Sequence, residues 1–499
     1  MPDPFVFHPE PELIGFLDET EARGALEDLG RLVWAASLDY VYGEAARRPV
    51  APDSYPRMRR RYFGPSGGPP PPPSEPMTSR EVVAEFEERI APLLFNAQHP
   101  GQFGYFTTPP LPMSIAGEVL AQWVNQGIDI WHAGPVGAFV EEEVTSWLRE
   151  LVGLGRDSWG VLTSGGVMAN IMAMTVARDV HLARLRGLSA PPRGEDLEGV
   201  RVYAGDQAHF SISRALDLLG FPEGTLRMVP TDERFRLHGA PVAEAIAEDR
   251  ASGLLPLAIA AVSGSTNTGS VDLVGELADV AEREGMWLHV DAAYGGAVRL
   301  SARDTGRVPD LERADSVTID PHKWFFQAYD IGALLVRRRE DLLDTFHRAP
   351  EYYRHARRED EPLNWYQYSL EGTRRFRGLK LWVSWKHLGT EGFGRLIEYN
   401  DDLAAYLAAR CRESDDFETL PEEPELSVVC FRHVVPHMDP EELDAHQDHL
   451  QQALEASGEG WVSTTTLRGR TYLRAGVVNY LATEVDVDRV LDTLRRLAT

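Results

Sequence analysis

The sequence predicts an α/β protein built on a mainly parallel, seven-stranded sheet, and three observations predict it. Seven short apolar runs occur between about residues 159 and 336: "WGVLT", "VRVYA", "TLRMV", "LAIAAVS", "MWLHVD", "SVTI" and "IGALLV". They are continuous rather than alternating, which marks strands buried on both faces. Helical stretches separate them, as the crossovers of a parallel sheet require.

Residues 1–90 read as an N-terminal helical arm. "TEARGALEDLGRLVWAASLDYVYG" has apolar positions at helical spacing. "FGPSGGPPPPPSEP" then forces an extended connector, because proline fixes φ and removes donors. "TSREVVAEFEERIAPLL" restarts a helix, with Thr78 or Ser79 as N-cap and acidic residues in its early turns. Residues 91–385 hold the seven runs and form the expected large domain. Residues 386–499 alternate long amphipathic helices with short strands, "SVVCFRHV" and "TYLRAGVV", as a smaller α+β domain.

The 499 residues are 43% hydrophobic and 25% charged, an ordinary balance for a water-soluble fold. Asp and Glu outnumber Lys and Arg by 77 to 50, a formal charge of −27, which argues against a nucleic-acid or anionic-membrane surface. "MPDPFVFHPEPEL" has no basic region followed by an apolar run, so no secretory signal is expected. Two cysteines, Cys411 and Cys430, make neither a disulfide framework nor a metal cluster. The expected setting is a reducing cytoplasm, with no metal.

In open α/β sheets ligands gather at the carboxyl ends of strands, so the residues after each run are the candidates. "SGGVMANIMAMTVAR" follows the first run. Ser164 is placed to cap a helix, Gly165 and Gly166 allow close backbone approach, and the helix start suits an anion such as a phosphate. No Gly-Lys-Ser/Thr follows, so this is not a nucleotide P-loop. "GDQAHFSISRA" sets His209 at the mouth of the next helix, "GSTNTGSVD" carries Thr266, and "MWLHVD" ends on Asp291. Taken singly, these also fit a glycine turn, a structural imidazole, a polar loop and a helix cap.

"TIDPHKWFFQAYDIGALLV" then sets Lys323 among apolar neighbours. Lysine is almost never buried unless paired, because taking an ammonium out of water is very costly. A phosphate seat, an imidazole, a carboxylate and a lysine at successive strand ends match one ligand, pyridoxal 5′-phosphate (PLP). Its phosphate needs a helix N-terminus, its ring nitrogen an acid and its aldehyde a lysine. Desolvation is expected to lower the pKa of Lys323 and favour the neutral amine.

"TSGGVMAN", "DQAHFS", "GSTNTGSVD", "HVDAAYGG" and "DPHKW", in this order and at these spacings, resemble the group II PLP-dependent amino-acid decarboxylases. The likeness runs from "HPGQFGYFTT" (99–108) to "YLRAGVVNY" (472–480). It implies a fold-type-I enzyme that is a homodimer with interlocked N-terminal helices and shared active sites. Residue by residue, it implies Lys323 as the Schiff-base lysine and Asp291 as the partner of the ring nitrogen. His209 would stack on one ring face and Ala293 on the other, with Thr266 nearby. Ser164, Gly165, Gly166 and Val167 would hold the phosphate, with Ser316, Asp320 and His322 lining the same region. Phe106, Thr108 and Trp131 would face the substrate, Thr108 near its carboxylate. Val167 stands where serine is common, Asp320 where some relatives have asparagine, and "AGPVGAFVEEEV" departs from the usual "SPA-TE-E".

"HRAPEYYRHARREDEPLNWYQYSLEGTRRFRGLK" resembles the family's catalytic loop. It sets Tyr352 where a tyrosine protonates the carbon left after CO2 departs, with Tyr353 as the alternative register. The implied activity is decarboxylation of an L-amino acid to its amine, with an aromatic side chain favoured by "FGYF", Trp131 and His209. Asp129 would instead favour a polar or cationic side chain. The alternatives are oxidative decarboxylation to an aldehyde, whose relatives often replace the loop tyrosine by phenylalanine, decarboxylation of a polar or acidic amino acid, and a PLP-binding regulator. A DNA-binding regulator would need a basic helix-turn-helix module, which this acidic sequence lacks.

Overall fold

The computed structural model describes residues 19–43, 48–49, 54–348 and 363–498. The seven apolar runs are seven strands: β1 (Trp159–Thr163), β2 (Val200–Gly205), β3 (Leu226–Val229), β4 (Leu255–Val262), β5 (Trp287–Asp291), β6 (Ser316–Ile319) and β7 (Gly332–Val336). They make one sheet in the order β1-β7-β6-β5-β4-β2-β3. Strand β7 runs antiparallel to both of its neighbours, pairing Val161 with Leu334 and Val317 with Leu335, and the other pairs are parallel. Strands β1 to β6 therefore point one way, and their carboxyl ends share one edge.

Both faces of this sheet are covered, which is why the runs are apolar without alternation. Successive residues of a strand point to opposite faces. In β7, Ala333 and Leu335 enter one core cluster while Leu334 and Val336 enter another. The first cluster takes Val242 and Ile246 from helix Gly239–Ala251 and Leu277 from helix Val274–Glu284. The second takes Met172 from helix Gly166–Val176 and Leu342 from helix Arg339–Phe346.

The C-terminal part holds a four-stranded antiparallel sheet of order β10-β11-β9-β8, made of β8 (Phe417–Thr419), β9 (Val428–His433), β10 (Ser463–Leu467) and β11 (Arg470–Gly476). Phe431 and Leu473 of that sheet pack with Leu450 and Leu494 of helices Pro440–Ser457 and Glu484–Leu497. Helix Gly378–Arg412 passes from the large sheet to this layer and is interrupted at Gly389, whose φ of 66° and ψ of 169° are non-helical. The boundary expected at 385/386 falls inside this helix. In the arm, Thr78 caps helix Ser79–Glu85 through a reciprocal bond with Glu81. Among the described residues, no helix is long and apolar enough to cross a membrane.

Candidate active site

The shared carboxyl edge of the strands surrounds a cavity of about 370 Å³. Ser164, Gly165, Gly166 and Val167 line it from the turn after β1, His209 from the loop after β2, and Thr266 from the loop after β4. Asp291 and Ala293 enter from the end of β5, and Asp320, His322 and Lys323 from the end of β6. Parallel strands bring together residues separated by more than 150 positions, because each strand ends on the same edge.

Helix Gly166–Val176 opens onto the cavity with Gly165 at its N-cap and no side-chain cap. Ser164 thus does not close the helix, and the first N–H groups keep their bonding capacity for an anion. The turn lies unusually close to β7 and Asp320. A Cβ on Gly332 would come within 2.5 Å of the Gly165 Cα, and one on Gly166 within 2.8 Å of Asp320 Oδ2. Both positions admit only glycine without a shift of backbone or of a buried carboxylate.

Lys323 answers the question its sequence context raised. Its side chain keeps 23% exposure, and its Nζ lies 3.0 Å from Asp320 Oδ2. The Lys323 N–H donates to Asp320 O at 2.9 Å, a tight turn that fixes both residues. Burial works against the ammonium, but Asp320 and then Asp291 outweigh it, and the pKa rises above the usual lysine value. This corrects the expectation from desolvation alone: the amine has carboxylate partners. Asp320 Oδ1 is buried with no hydrogen-bond partner, and Asp320 Oδ2 is 3.7 Å from His322 Nε2. Burial pushes the His322 imidazole below its usual pKa, against the pull of Asp320.

Asp291 is held by two donors. Asn170 Nδ2 donates to its Oδ2 at 2.7 Å and the Ala293 N–H to its Oδ1 at 3.1 Å. His209 Nδ1 is 2.8 Å from Ser211 Oγ and accepts the Ser211 N–H at 3.3 Å. Burial lowers the His209 pKa despite Asp291, favouring a neutral imidazole with its proton on Nε2.

Four expected residues lie outside the cavity lining. Ser316 stands at the amino end of β6, the wrong end for the phosphate, where its Oγ meets His289 Nδ1 at 2.9 Å and accepts from Trp287 Nε1 at 3.0 Å. Trp131 packs on Phe139 with ring centroids 4.9 Å apart. Phe106 and Thr108 are buried and do not line the cavity; Lys323 Nζ is 5.9 Å from the centre of the Phe106 ring. Tyr352 and its neighbour Tyr353 lie outside the described residues.

Two buried polar residues carry bonds the sequence reading passed over. Asn170 is the one amide in helix Gly166–Val176, whose other residues are apolar apart from Thr175, and Arg474 is a charge between Leu473 and Ala475 in β11; those mismatches were the available signals. Arg474 Nε donates to Thr266 O at 2.7 Å, and its guanidinium sits 4.7 Å over the Phe106 ring. Burial pushes its pKa down, and Nη2 has no partner.

The residues present fit PLP: an amine for its carbonyl carbon, a doubly held carboxylate for its ring nitrogen, an imidazole beside them, and an uncapped helix start for its phosphate. Comparison with known proteins agrees. The model of the pyridoxal-dependent decarboxylase conserved domain matches residues 67–434. An aromatic-L-amino-acid decarboxylase of Bacillus atrophaeus is 32% identical over 405 residues, 81% of this chain and 82% of the relative. An L-2,4-diaminobutyrate decarboxylase of Acinetobacter baumannii is 30% identical over 410 residues, 80% of this chain and 79% of the relative. A solved structure of Oryza sativa TDC with PLP and tryptamine superposes with a TM-score of 0.86 at 26% identity, covering 99% of each chain. Motifs, site and relatives converge: the chain belongs to the pyridoxal-dependent decarboxylase family and is a PLP-dependent amino-acid decarboxylase, a lyase.

Proposed function

We propose that this chain converts an aromatic L-amino acid to the corresponding amine and CO2, as a cytoplasmic homodimer with shared active sites. The observation that carries the aromatic preference is a column of rings beside the reactive amine. Phe106 stacks on Tyr294 at 4.2 Å, Tyr294 stacks on Trp324 at 4.8 Å, and Lys323 Nζ is 5.9 Å from the Phe106 centroid. Tyr294 is the ring of this column that lines the cavity, and a flat ring next to a few convergent polar groups suits an aromatic ligand. Thr108, two residues beyond Phe106, has a buried Oγ1 without a partner, which supports a role in bonding the substrate carboxylate. Similarity to the Bacillus atrophaeus aromatic-L-amino-acid decarboxylase points the same way.

PLP, when bound, supplies the electron sink for the bond that CO2 leaves. The chain's own residues do the rest. The helix start at Gly166 and Val167 binds the phosphate, Asp291 holds a proton at the ring nitrogen, and His209 covers a ring face. Asp320 pairs with Lys323 Nζ and holds it at the cavity, where it would meet the cofactor's carbonyl carbon. Tyr352 delivers a proton to the substrate carbon.

A second copy is supported by the apolar face of helix Pro112–Val124, where Val119, Leu120, Trp123 and Val124 are each at least half exposed. Leu111, the N-cap of that helix, donates its N–H to Phe326 O at 2.9 Å, which ties the start of the helix to the segment after Lys323. A contiguous apolar patch of this kind marks an association surface. Free, buried Cys411 and Cys430 suit a reducing compartment.

A second reading, decarboxylation of a cationic amino acid, rests on half-buried Asp129 and on similarity to the Acinetobacter baumannii L-2,4-diaminobutyrate decarboxylase. Incubation of the PLP-loaded protein with the proteinogenic amino acids and 2,4-diaminobutyrate, with CO2 and amine followed by mass, separates the two. Tryptamine, tyramine or phenethylamine is the expected product, and 1,3-diaminopropane would establish the second reading. Sedimentation of the loaded protein is expected at dimer mass, and Trp123→Asp at monomer mass.

A further inference from the structure

Asn170 joins the two sides of the cofactor site through a single amide. It lies on helix Gly166–Val176 and is buried. Its Nδ2 donates to Asp291 Oδ2 at 2.7 Å and to Ser211 Oγ at 2.8 Å. Its Oδ1 accepts from Thr318 Oγ1 at 2.7 Å and meets His289 Nε2 at 3.0 Å. An amide offers two donors and two acceptor sites, so this one is saturated.

The direction of each bond follows from Asp291. An ionised carboxylate only accepts, so the NH2 of Asn170 must face it, and Oδ1 must face Thr318 and His289. His289 Nε2 then carries the proton. Burial supports this neutral imidazole, lowering the His289 pKa to about 4. The Nδ1 of His289 accepts from Ser316 Oγ, which itself accepts from Trp287 Nε1. On the other branch, Ser211 Oγ accepts from Asn170 and donates to His209 Nδ1. The same amide therefore aims the carboxylate and, through one hydroxyl, the imidazole.

We propose that Asn170 is a positioning residue that locks Asp291 toward the cofactor's ring nitrogen and His209 over its ring. The proposal rests on the reading of Asp291 and His209 given above. Asn170 also lines the cavity, but its bonding capacity is spent on protein partners, so the role assigned to it is exerted through Asp291 and His209. Its effect is to remove alternative orientations of two groups whose electrostatic value depends on fixed geometry.

The test uses two ligands, PLP and its analogue with carbon in place of the ring nitrogen, titrated by fluorescence into the cofactor-free full chain. The wild type is expected to prefer PLP. Asn170→Ala is expected to weaken PLP by about tenfold, the scale of a lost hydrogen bond to a charged group, and to change the carbon analogue less than about twofold. In an Asp291→Asn background, Asn170→Ala is expected to add little, because the two residues act as one unit. Asn170→Asp is the isosteric variant; it sets a carboxylate against Asp291 and is expected to lose the same preference at pH 8.

Equal weakening of both ligands, or full additivity with Asp291→Asn, would show that Asn170 only supports the fold and would overturn the proposal. Should Asn170→Ala fail to fold, an unchanged preference in Asn170→Asp overturns it equally. A wild type that does not prefer PLP, or an Asp291→Asn variant that keeps the preference, would sink the reading of Asp291 itself, a distinct outcome.

Discussion

Asp320 Oδ2 lies 3.0 Å from Lys323 Nζ, one turn back along the chain, and both side chains face the same cavity. The amine thus has a carboxylate partner rather than being buried alone. Asp320→Asn is expected to lower the pKa of Lys323 in the cofactor-free chain, because it removes the nearest anion that raises it. The pH dependence of labelling by an amine-reactive reagent, read at the peptide containing Lys323, gives that pKa. An unmoved midpoint would mean that Asp291 alone holds the charge. In the loaded wild type, borohydride is expected to fix the cofactor to Lys323, and label on another lysine would contradict the assignment.

Asp291→Asn keeps the shape of the side chain and its place beside Asn170 but removes the charge that would pair with a protonated ring nitrogen. A charge-assisted hydrogen bond is typically worth roughly 1.5–3 kcal/mol. At about 1.4 kcal/mol per tenfold, turnover is expected to fall by about ten- to a hundredfold or more. Near-normal turnover would reduce Asp291 to a residue that only orders the backbone at Ala293.

Tyr352 is proposed to decide between amine and aldehyde. Tyr352→Phe removes the acid and keeps the ring, so amine formation is expected to slow and the product to shift toward aldehyde with oxygen uptake. Tyr353→Phe is the control and is expected to change little. The reverse pattern would move the register by one residue, and no change in either would make His209 the next proton donor to test.

His289 is expected to make stability pH-dependent. Its pKa is lowered by burial to about 4 in the folded chain, against an ordinary value near 6.5. Between these values the unfolded chain binds the proton and the folded chain does not. Stability is therefore lost as pH falls from about 6.5 toward about 4, and this group accounts for about 3 kcal/mol of the loss at the acid end. His209 and His322, also lowered by burial, act in the same direction. Denaturant unfolding across this window is expected to show a shallower slope in His289→Gln; an identical slope would mean that other groups dominate.

The seven strands of the large sheet were legible in the sequence because burial on both faces writes a continuous apolar run. The residues of the cavity were legible for a related reason: in a mainly parallel sheet, whatever follows each strand arrives at one edge. Lys323, Asp291, His209 and the Gly165–Gly166 turn could thus be assigned to one site without knowing the strand order. The direction of β7 could not be read, since an apolar run has no polarity, and β10, "STTTL", carries too little apolar pattern to register as a strand. Ser316 was misplaced because a motif gives neighbourhood in sequence, while its position at the amino end of β6 sets it behind His289. The roles of Asn170 and Arg474 belong to the tertiary structure alone. Their partners, Asp291 and the Thr266 carbonyl, stand 121 and 208 positions away, and only packing decides which buried donor meets which acceptor. The sign of the Lys323 pKa shift has the same origin: burial could be inferred from the apolar run, but the two carboxylates that reverse its effect are brought to the amine by the fold.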